Sequence, residues 1–202
     1  MRLKIVQAGE AVLRQRARPL TPDEIDSREI QSLIESMRET MYDAPGVGLA
    51  APQIGFPIQL AVIEDKPEYT RDAPAAFVKE RERKPVPFHV IINPVLTLID
   101  EPSLEFFEGC LSLAGYTGVV ARAQRVQVDC LDHDGTPIRI DASGWYARIL
   151  QHEIDHLHGT MYIDRIQTRT LMTVENFNRY WKDKPIAKVR KTIGWDQEWL
   201  RS

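Results

Sequence analysis

The sequence predicts an α+β domain in which antiparallel or mixed sheets surround a central helix late in the chain. Short β-type segments dominate residues 58–141, an amphipathic helical segment follows them, and the hairpin-turn signature Asp132–Gly135 joins two of the strands. Strands followed by a late helix are an order typical of α+β domains. The chain has 202 residues, 43% of them hydrophobic, which suits one core. We therefore expect one domain at 1–165 and a tail at 166–202 that packs on it or on a second subunit.

The first element is an amphipathic helix over roughly 27–42. Two capping boxes, Thr21–Glu24 and Asp26–Glu29, precede it. Apolar residues then repeat at helical spacing, at Ile30, Leu33, Ile34, Met37 and Met41. We interpret the two methionines as core residues. Glycine and proline punctuate the next segment, Gly46–Gly55, which we predict to be a loop.

Strands follow this loop, interrupted by one insertion. Residues 65–88 are polar, charged and rich in proline, so we predict a long inserted loop whose basic cluster is solvated. Alternation and β-type composition predict strands at Ile58–Glu64, His89–Ile92, Val95–Ile99, Arg125–Leu131 and Pro137–Asp141. His133 then lies in a hairpin turn, which makes it a turn residue.

Charge, hydropathy and cysteine content exclude several classes of protein. A net charge of −3 argues against a strong general binder of nucleic acid. No apolar run reaches the roughly 18 residues of a membrane span. The first residues lack a signal-peptide core and an Arg/Ser-rich transit stretch, so we expect a cytoplasmic protein. Two cysteines make no disulfide framework, although counting leaves a Cys110–Cys130 bridge open; Cys130 alternates with valines and is expected in the core.

The late helix carries an H-E-x-x-H motif formed by His152, Glu153 and His156. Ser143 is a suitable N-cap for it, and Gly159 suits its C-terminal end. Positions i and i+4 share a helix face, so the two imidazoles can hold one divalent metal, and Glu153 can reach a water on that metal. Two histidines on one helix also occur as plain core or surface residues, and the motif alone leaves that interpretation open.

Hydrolytic zinc sites usually have a third protein ligand. The acidic residues after Gly159 do not match the downstream spacing of the common metalloprotease patterns; they are Asp164, Glu175, Asp183, Asp196 and Glu198. An upstream ligand is the other option, and Cys110 is the natural candidate because a thiolate binds borderline-soft metals tightly. Gly109 beside it lets the backbone approach a ligand closely.

Three segments in this order resemble the three motifs of the peptide deformylases. They are Gly46-Val47-Gly48-Leu49-Ala50-Ala51-Pro52-Gln53, Glu108-Gly109-Cys110-Leu111-Ser112 and Gln151-His152-Glu153-Ile154-Asp155-His156-Leu157-His158-Gly159. The segments Gly144–Arg148 and Phe107–Val120 are similar to the subgroup found in plant and animal organelles and in some bacteria. The resemblance implies a metal-dependent hydrolase that removes the N-formyl group from the initiator methionine of new polypeptides.

The resemblance also implies roles for individual residues. Cys110, His152 and His156 would hold the metal, and Glu153 would act as general base and then general acid. The Gln53 side-chain amide and the Leu111 backbone N–H would donate to the oxygen that becomes negative.

The implied substrate site has two parts. Gly46 and Gly48 would let extended substrate backbone lie close, and Gly109 belongs to the same wall. The methionine pocket would be lined by Val47, Glu108, Leu111, Trp145 and Arg148. In the best-known bacterial form the last two positions are aliphatic, so Trp145 and Arg148 are expected to narrow or polarise the pocket.

The resemblance implies one divalent metal per chain, with Fe²⁺ favoured and Zn²⁺, Ni²⁺ or Co²⁺ as alternatives. The implied partners are N-formyl-methionyl nascent peptides near the ribosome, without a membrane; a homodimer stays open. An organelle matrix or stroma is the alternative location if a transit peptide has been removed. Two other functions remain: a zincin-type metalloprotease with a third ligand other than Cys110, and an inactive homologue that serves as a binding module.

Overall fold

The computed structural model of the chain describes residues 2–71 and 73–194, and within them eight strands form two antiparallel sheets. The larger sheet has the order β1-β2-β3-β6-β7, and the smaller one has the order β4-β5-β8. The strands are β1 (Gly48–Ala50), β2 (Leu60–Asp65), β3 (Val86–Leu98), β4 (Leu104–Cys110), β5 (Leu113–Arg122), β6 (Arg125–Leu131), β7 (Pro137–Ser143) and β8 (Met172–Thr173). The predicted α+β class with antiparallel sheets is confirmed.

Six α-helices accompany the sheets in the described part of the chain: α1 (Pro22–Ile25), α2 (Arg28–Asp43), α3 (Ala75–Glu80), α4 (Gly144–Leu157), α5 (Val174–Tyr180) and α6 (Ile186–Ile193). The predicted first helix corresponds to α2. The Ser27 hydroxyl caps it by accepting from the Ile30 N–H at 3.3 Å. Thr21 and Glu24 form the predicted capping box at α1. Met37 and Met41 are fully buried, as core residues.

Helix α4 is the buried centre of the fold. Its apolar side chains, Ile149, Leu150, Ile154 and Leu157, pack in one cluster with β-strand residues such as Ile63, Ile91 and Val128. The helix ends as predicted, because Gly159 has φ +74 and a Cβ there would lie 2.7 Å from the Arg14 carbonyl oxygen. The larger sheet therefore holds α4 in a fixed position, with its histidines at a defined depth.

The start of α4 differs from the prediction in how it is capped. Ser143 occupies the N-cap position, but its side chain makes no capping hydrogen bond. Backbone carbonyls satisfy the first helical N–H groups instead: Gly144 donates to Gln124 at 2.9 Å, and Trp145 donates to Arg81 at 2.9 Å. The prediction of a serine side-chain cap was wrong because two backbone segments that are distant in sequence take that role.

The central strands also differ in extent from the prediction. The segments predicted at His89–Ile92 and Val95–Ile99 belong to one strand, β3, whose register shifts between Ile92 and Val95. Asn93 lies at this irregularity with φ +52, and its side chain bonds both the N–H and the carbonyl of Leu20, at 2.9 and 2.8 Å. A local pattern cannot show that a strand continues through such a bulge.

The loop predicted at Gly46–Gly55 contains regular structure. It holds β1 and a 3₁₀ turn at Ala51–Ile54, and all of the residues from Gly48 to Ile54 are buried. Strand β1 pairs with β2 and lies at the edge of the larger sheet. This segment was predicted to be a loop because glycines and prolines interrupt its β pattern.

The insertion is only partly a solvated loop. It contains a 3₁₀ turn at Pro67–Thr70 and the short helix α3, and the residues from Val86 onward belong to β3. Two arginines of its basic cluster are held by the fold. Arg81 is 6% exposed, with its guanidinium carbon 4.5 Å from the Phe106 ring centroid, and Arg83 makes a bidentate ion pair with buried Asp65 at 2.7 and 2.8 Å. The prediction of a solvated basic cluster was therefore wrong for these two side chains.

The hairpin and the cysteines match their predictions. The Asp132 N–H donates to the Thr136 carbonyl at 3.0 Å across the turn between β6 and β7, and the His133 side chain is exposed. Cys130 is buried in the core, and both it and Cys110 are free thiols. The disulfide that counting left open is thus absent from the structure.

The described part of the tail packs on the smaller sheet. Strand β8 pairs with β5 through Tyr116–Thr173, and the Phe177 ring lies 4.8 Å from that of Phe107. Apolar residues of α5, of α6 and of the segment between them complete this contact, among them Trp181 and Val189. Within the described residues, no helix combines the length and the apolar character that crossing a bilayer needs. Trp195, Asp196, Glu198 and Trp199 lie outside the described residues.

Candidate active site

Three ligand-type side chains converge at the C-terminal half of α4. The His152 and His156 rings lie 5.1 Å apart on one face of the helix, and Cys110 reaches them from the end of β4. The Cys110 Sγ lies 3.2 Å from His156 Nε2. One ligand atom from each of the three residues lies within 4.8 Å of the others. The structure therefore brings together the upstream cysteine and the two histidines.

This donor set fits a divalent metal. One thiol and two imidazoles are borderline-soft donors, and three protein ligands leave a fourth position for a water or a substrate oxygen. The downstream carboxylate nearest in sequence is engaged elsewhere, because Asp164 accepts from the Met161 N–H at 2.8 Å and pairs with Arg14. A third ligand other than Cys110, which the metalloprotease alternative requires, is not part of this convergence among the described residues.

Glu108 orients one of the two histidines. Its Oε2 lies 3.0 Å from His152 Nδ1, so Nε2 of that ring is left for a metal. Arg122 binds both oxygens of the same carboxylate at 2.9 Å, and Arg148 Nη1 lies 2.6 Å from Oε1. Burial opposes ionisation of Glu108, but the Arg122 charge and the His152 hydrogen bond outweigh it and hold the pKa of this carboxyl below its usual range.

A second carboxylate extends this network behind the site. Asp155, inside the H-E-x-x-H motif, accepts from Arg165 at 2.7 Å through both of its oxygens and also pairs with Arg122. Sequence reasoning did not single out Asp155, Arg122 or Arg165. The sequence gives one sign of this network, which is that Asp155 is an acidic residue between the two histidines. The arginine partners of Asp155 are distant from the motif or unmarked in sequence.

Glu153 lies beside the convergent ligands with an unused oxygen. It is 3% exposed, and its Oε2 is buried without a hydrogen-bond partner in residues 2–71 and 73–194. Burial raises the pKa of this carboxyl to about 7. A Cβ built at Gly48 would lie 2.2 Å from Glu153 Oε1, so only glycine fits there. A carboxyl with such a pKa can both take and return a proton near neutral pH.

Gln53 is oriented by the backbone of its own turn. Its Oε1 accepts from the Ala50 N–H at 2.8 Å, which directs the NH₂ group the other way. That group lies 3.3 Å from Ser112 Oγ and 3.5 Å from Cys110 Sγ. Leu111 lies between these two residues, in the turn that joins β4 to β5. The Gln53 NH₂ group thus lies next to the Cys110 thiol, and Leu111 directly follows that cysteine in the chain.

One cavity of about 770 Å³ opens on this arrangement. All of the predicted site residues except His156 line it; they are Gly46, Val47, Gly48, Gln53, Glu108, Gly109, Cys110, Leu111, Trp145, Arg148, His152 and Glu153. The wall also contains residues that the sequence did not mark, among them Ile5, Gln7, Tyr116 and Val174. These come from the N-terminal segment, β5 and α5, whose approach to the cavity depends on tertiary packing.

Trp145 and Arg148 are both held at the cavity wall by partners outside α4. The Trp145 backbone binds the insertion at Arg81, and the Arg83 guanidinium carbon lies 5.2 Å from the centroid of its ring. Arg148 is 2% exposed and donates to the Val120 carbonyl at 3.1 Å as well as to Glu108. Arg148 therefore shares the Glu108 carboxylate with Arg122 inside the protein.

Comparisons with known proteins identify the family to which this chain is similar. The polypeptide deformylase family matches residues 2–171. The chain is 49% identical over 190 residues to a chloroplastic peptide deformylase 1A of Solanum lycopersicum, covering 94% of this chain and 67% of that protein. It is 45% identical over 184 residues to peptide deformylase 1 of Bifidobacterium longum, covering 91% and 82%, and 38% identical over 177 residues to the mitochondrial enzyme of Homo sapiens, covering 88% and 71%.

Solved structures are similar in fold as well. A peptide deformylase from Synechococcus elongatus in complex with actinonin superposes with a TM-score of 0.68 at 37% identity, covering 81% of this chain and 78% of that one. The peptide deformylase from Thermotoga maritima gives a TM-score of 0.67 at 35% identity, covering 82% and 98%.

Proposed function

Because the chain belongs to the polypeptide deformylase family, whose members remove the formyl group from an N-terminal methionine, we propose that it performs this reaction in the cavity at α4. The observation that carries the proposal is the convergence of three ligand atoms within 4.8 Å, beside a buried carboxyl with an unused oxygen. Carboxyl and ligands together form the arrangement that hydrolysis of a formamide needs.

Cys110, His152 and His156 would hold one divalent metal. When bound, such a metal lowers the pKa of a water molecule and polarises a carbonyl oxygen. Glu108 would stabilise this site without binding the metal, because its hydrogen bond fixes the orientation of the His152 ring. We favour Fe²⁺ as the metal in the cell, with Zn²⁺, Ni²⁺ and Co²⁺ as alternatives, since a thiolate with two imidazoles accommodates all four.

Glu153 is the residue proposed to move the proton. Its Oε2 would accept a proton from the attacking water and then deliver it to the amine that leaves. Burial raises the pKa of this carboxyl above its usual range, so a proton taken from the water can stay on it until the amine leaves. The close approach of Gly48 restricts the rotation of this side chain.

Gln53 and Leu111 are proposed to donate to the oxygen of the formyl group as it gains negative charge. The Ala50 N–H holds the Gln53 amide so that its NH₂ group points toward Cys110. The Leu111 N–H is adjacent in the chain to that cysteine. Donors already in place stabilise the transition state more than the ground state, because no reorganisation is needed when the charge develops.

The substrate would be the N-formyl-methionyl end of a nascent peptide. Its backbone would lie along Gly46 and Gly48, where side chains do not obstruct it, with Gly109 on the same wall. Val47, Leu111 and Trp145 supply apolar surface for the methionine side chain. Arg148 pairs with Glu108 at this wall, so its guanidinium does not enter the pocket without an opposite charge beside it. We place this reaction near the ribosome, in the cytoplasm or in an organelle that makes its own proteins.

One experiment tests metal and reaction together. Protein purified without oxygen is analysed for metal, and formate release is measured with formyl-Met-Ala-Ser and with its acetyl analogue. We expect about one metal ion per chain, formate from the formyl peptide and no acetate from the other. Cleavage of unformylated casein by the same preparation, without release of formate, would favour a metalloprotease instead. Metal-loaded protein that attacks neither substrate would point to an inactive homologue.

A further inference from the structure

The N-terminal segment connects the two sides of the proposed oxyanion site. The Val6 N–H donates to the carbonyl of Gln53 at 2.8 Å, and the Ala8 N–H donates to the carbonyl of Ser112 at 2.7 Å. Residues 53 and 112 are far apart in the chain, on the 3₁₀ turn after β1 and on the turn between β4 and β5. One short segment therefore binds the backbones of both.

Gln7 lies between these two contacts and holds the second turn with its side chain. Its Nε2 donates to the Leu111 carbonyl at 2.9 Å, and its Oε1 accepts from the Ala114 N–H at 3.2 Å. A side-chain amide is suited to this bridge because it offers a donor and an acceptor side by side. Gln7 therefore joins the two ends of the Leu111–Ala114 segment.

These contacts restrict the orientation of Leu111. Peptide units are planar, so holding the carbonyls of Leu111 and Ser112 limits rotation of the backbone around them. The Gln7 side chain holds the first carbonyl, and the Ala8 N–H holds the second. The Leu111 N–H is adjacent to the first of these units. Loss of the Gln7 bridge would leave the turn with fewer constraints on that N–H.

We propose that Gln7 is a positioning residue that keeps the Leu111 N–H beside the Gln53 amide. This inference rests on the proposed function, because it assigns Gln7 a role only through the oxyanion donors. Gln7 also lines the cavity, so direct contact with the peptide is the competing role. The two roles differ in kinetics. A misplaced transition-state donor lowers kcat, whereas loss of a substrate contact raises KM.

Three variants of the full, metal-loaded chain test the proposal. For Gln7→Ala we expect kcat for formyl-Met-Ala-Ser to fall about 10- to 100-fold with KM nearly unchanged, since a small displacement of a catalytic group has effects of this order. Gln7→Glu can still accept from Ala114 but can no longer donate to Leu111, so a similar fall in kcat is expected. Gln15→Ala, at an exposed glutamine of the same segment, should keep the kcat of the native chain.

A second readout does not depend on activity. Amide hydrogen exchange in segment 111–114 should be faster in Gln7→Ala than in the native chain and in Gln15→Ala, with metal content and Tm unchanged. A raised KM with native kcat, or native kcat and native exchange, would overturn the proposal. If the native chain itself releases no formate, the proposed function fails, and the exchange rates still decide whether Gln7 holds this turn.

Discussion

The Oε2 atom of Glu108 lies 3.0 Å from Nδ1 of His152, so a carboxylate on β4 orients a histidine on α4. Both side chains are largely buried, and Arg122 and Arg148 hold the carboxylate in turn. A hydrogen bond of this kind selects the ring tautomer and directs the other nitrogen to the metal. We therefore expect the metal affinity of the proposed site to depend on a residue that is not itself a ligand.

We expect Glu108→Gln to weaken metal binding by about 10- to 100-fold, the usual effect of losing an outer partner of a ligand histidine. Competition with a chromogenic chelator measures this affinity. Asp129→Asn is the matched control, because Asp129 forms an exposed pair with Arg139, and exposed pairs contribute little. Equal affinity in Glu108→Gln and the control would show that the carboxylate charge does not support the site.

Cys110→Ser should lose most of the metal and nearly all activity, because a hydroxyl is a much poorer ligand than a thiolate. Metal analysis after gel filtration and the formate assay check both effects. Cys130→Ser changes the other free thiol, which is buried in the core away from the histidines, and should keep its metal. Full metal content in Cys110→Ser would remove this residue from the ligand set.

Glu153→Gln should keep the metal and lower kcat by a factor of about 10² to 10⁴, the range for removing general acid–base catalysis. The amide has nearly the shape of the carboxyl but cannot accept the proton. Metal content and steady-state kinetics on the same sample separate the two effects. If metal and kcat fall together, Glu153 has a structural role in the site.

Gly48→Ala should lower kcat, because the new Cβ would lie 2.2 Å from Glu153 Oε1 and that carboxyl would have to move. The ligands are on other side chains, so metal content should stay at one ion per chain. Kinetics with formyl-Met-Ala-Ser measure the loss. Native kcat in this variant would mean that the carboxyl relaxes without cost to the reaction.

Stability should depend on pH through His89. Burial lowers the pKa of this ring in the folded protein below its ordinary value of 6.5. Above pH 6.5 the ring is mostly neutral in the folded and the unfolded chain. As the pH falls through 6.5, the unfolded chain takes up the proton first, so the free energy of unfolding decreases. The midpoint of urea unfolding should therefore differ less between about pH 7.5 and about pH 5.5 in His89→Gln than in the native chain.

The control for this prediction is His133→Gln, since His133 is exposed in the β6–β7 turn. This variant should keep the native pH dependence. His89 also lies 2.9 Å from the Tyr146 hydroxyl, so its replacement is expected to lower the midpoint at both pH values. An unchanged difference between the two midpoints in His89→Gln would exclude the ring as the titrating group.

The sequence by itself determined the parts of this protein that depend on near neighbours. The apolar residues at helical spacing specify α2, because helical periodicity acts within a few residues. Asp132–Gly135 specify a hairpin for the same reason. The cap of α2 differs from the prediction, since Ser27 caps this helix and the predicted Asp26–Glu29 capping box does not form. His152 and His156 share a helix face through their spacing alone. The sequence also predicts Cys110 as the third ligand, because the downstream carboxylates have the wrong spacing and because its own segment resembles a deformylase motif.

Tertiary structure alone decided the contacts between residues distant in the chain. The pairings of Glu108 with His152, of Gly48 with Glu153 and of Gln7 with Leu111 each depend on how sheets, helix and N-terminal segment pack. The continuation of β3 through Asn93 and the burial of Arg81 also depend on contacts with residues that are distant in the chain. Local patterns report only periodicity and turn chemistry, whereas strand register and close packing set which distant groups meet and at what distance.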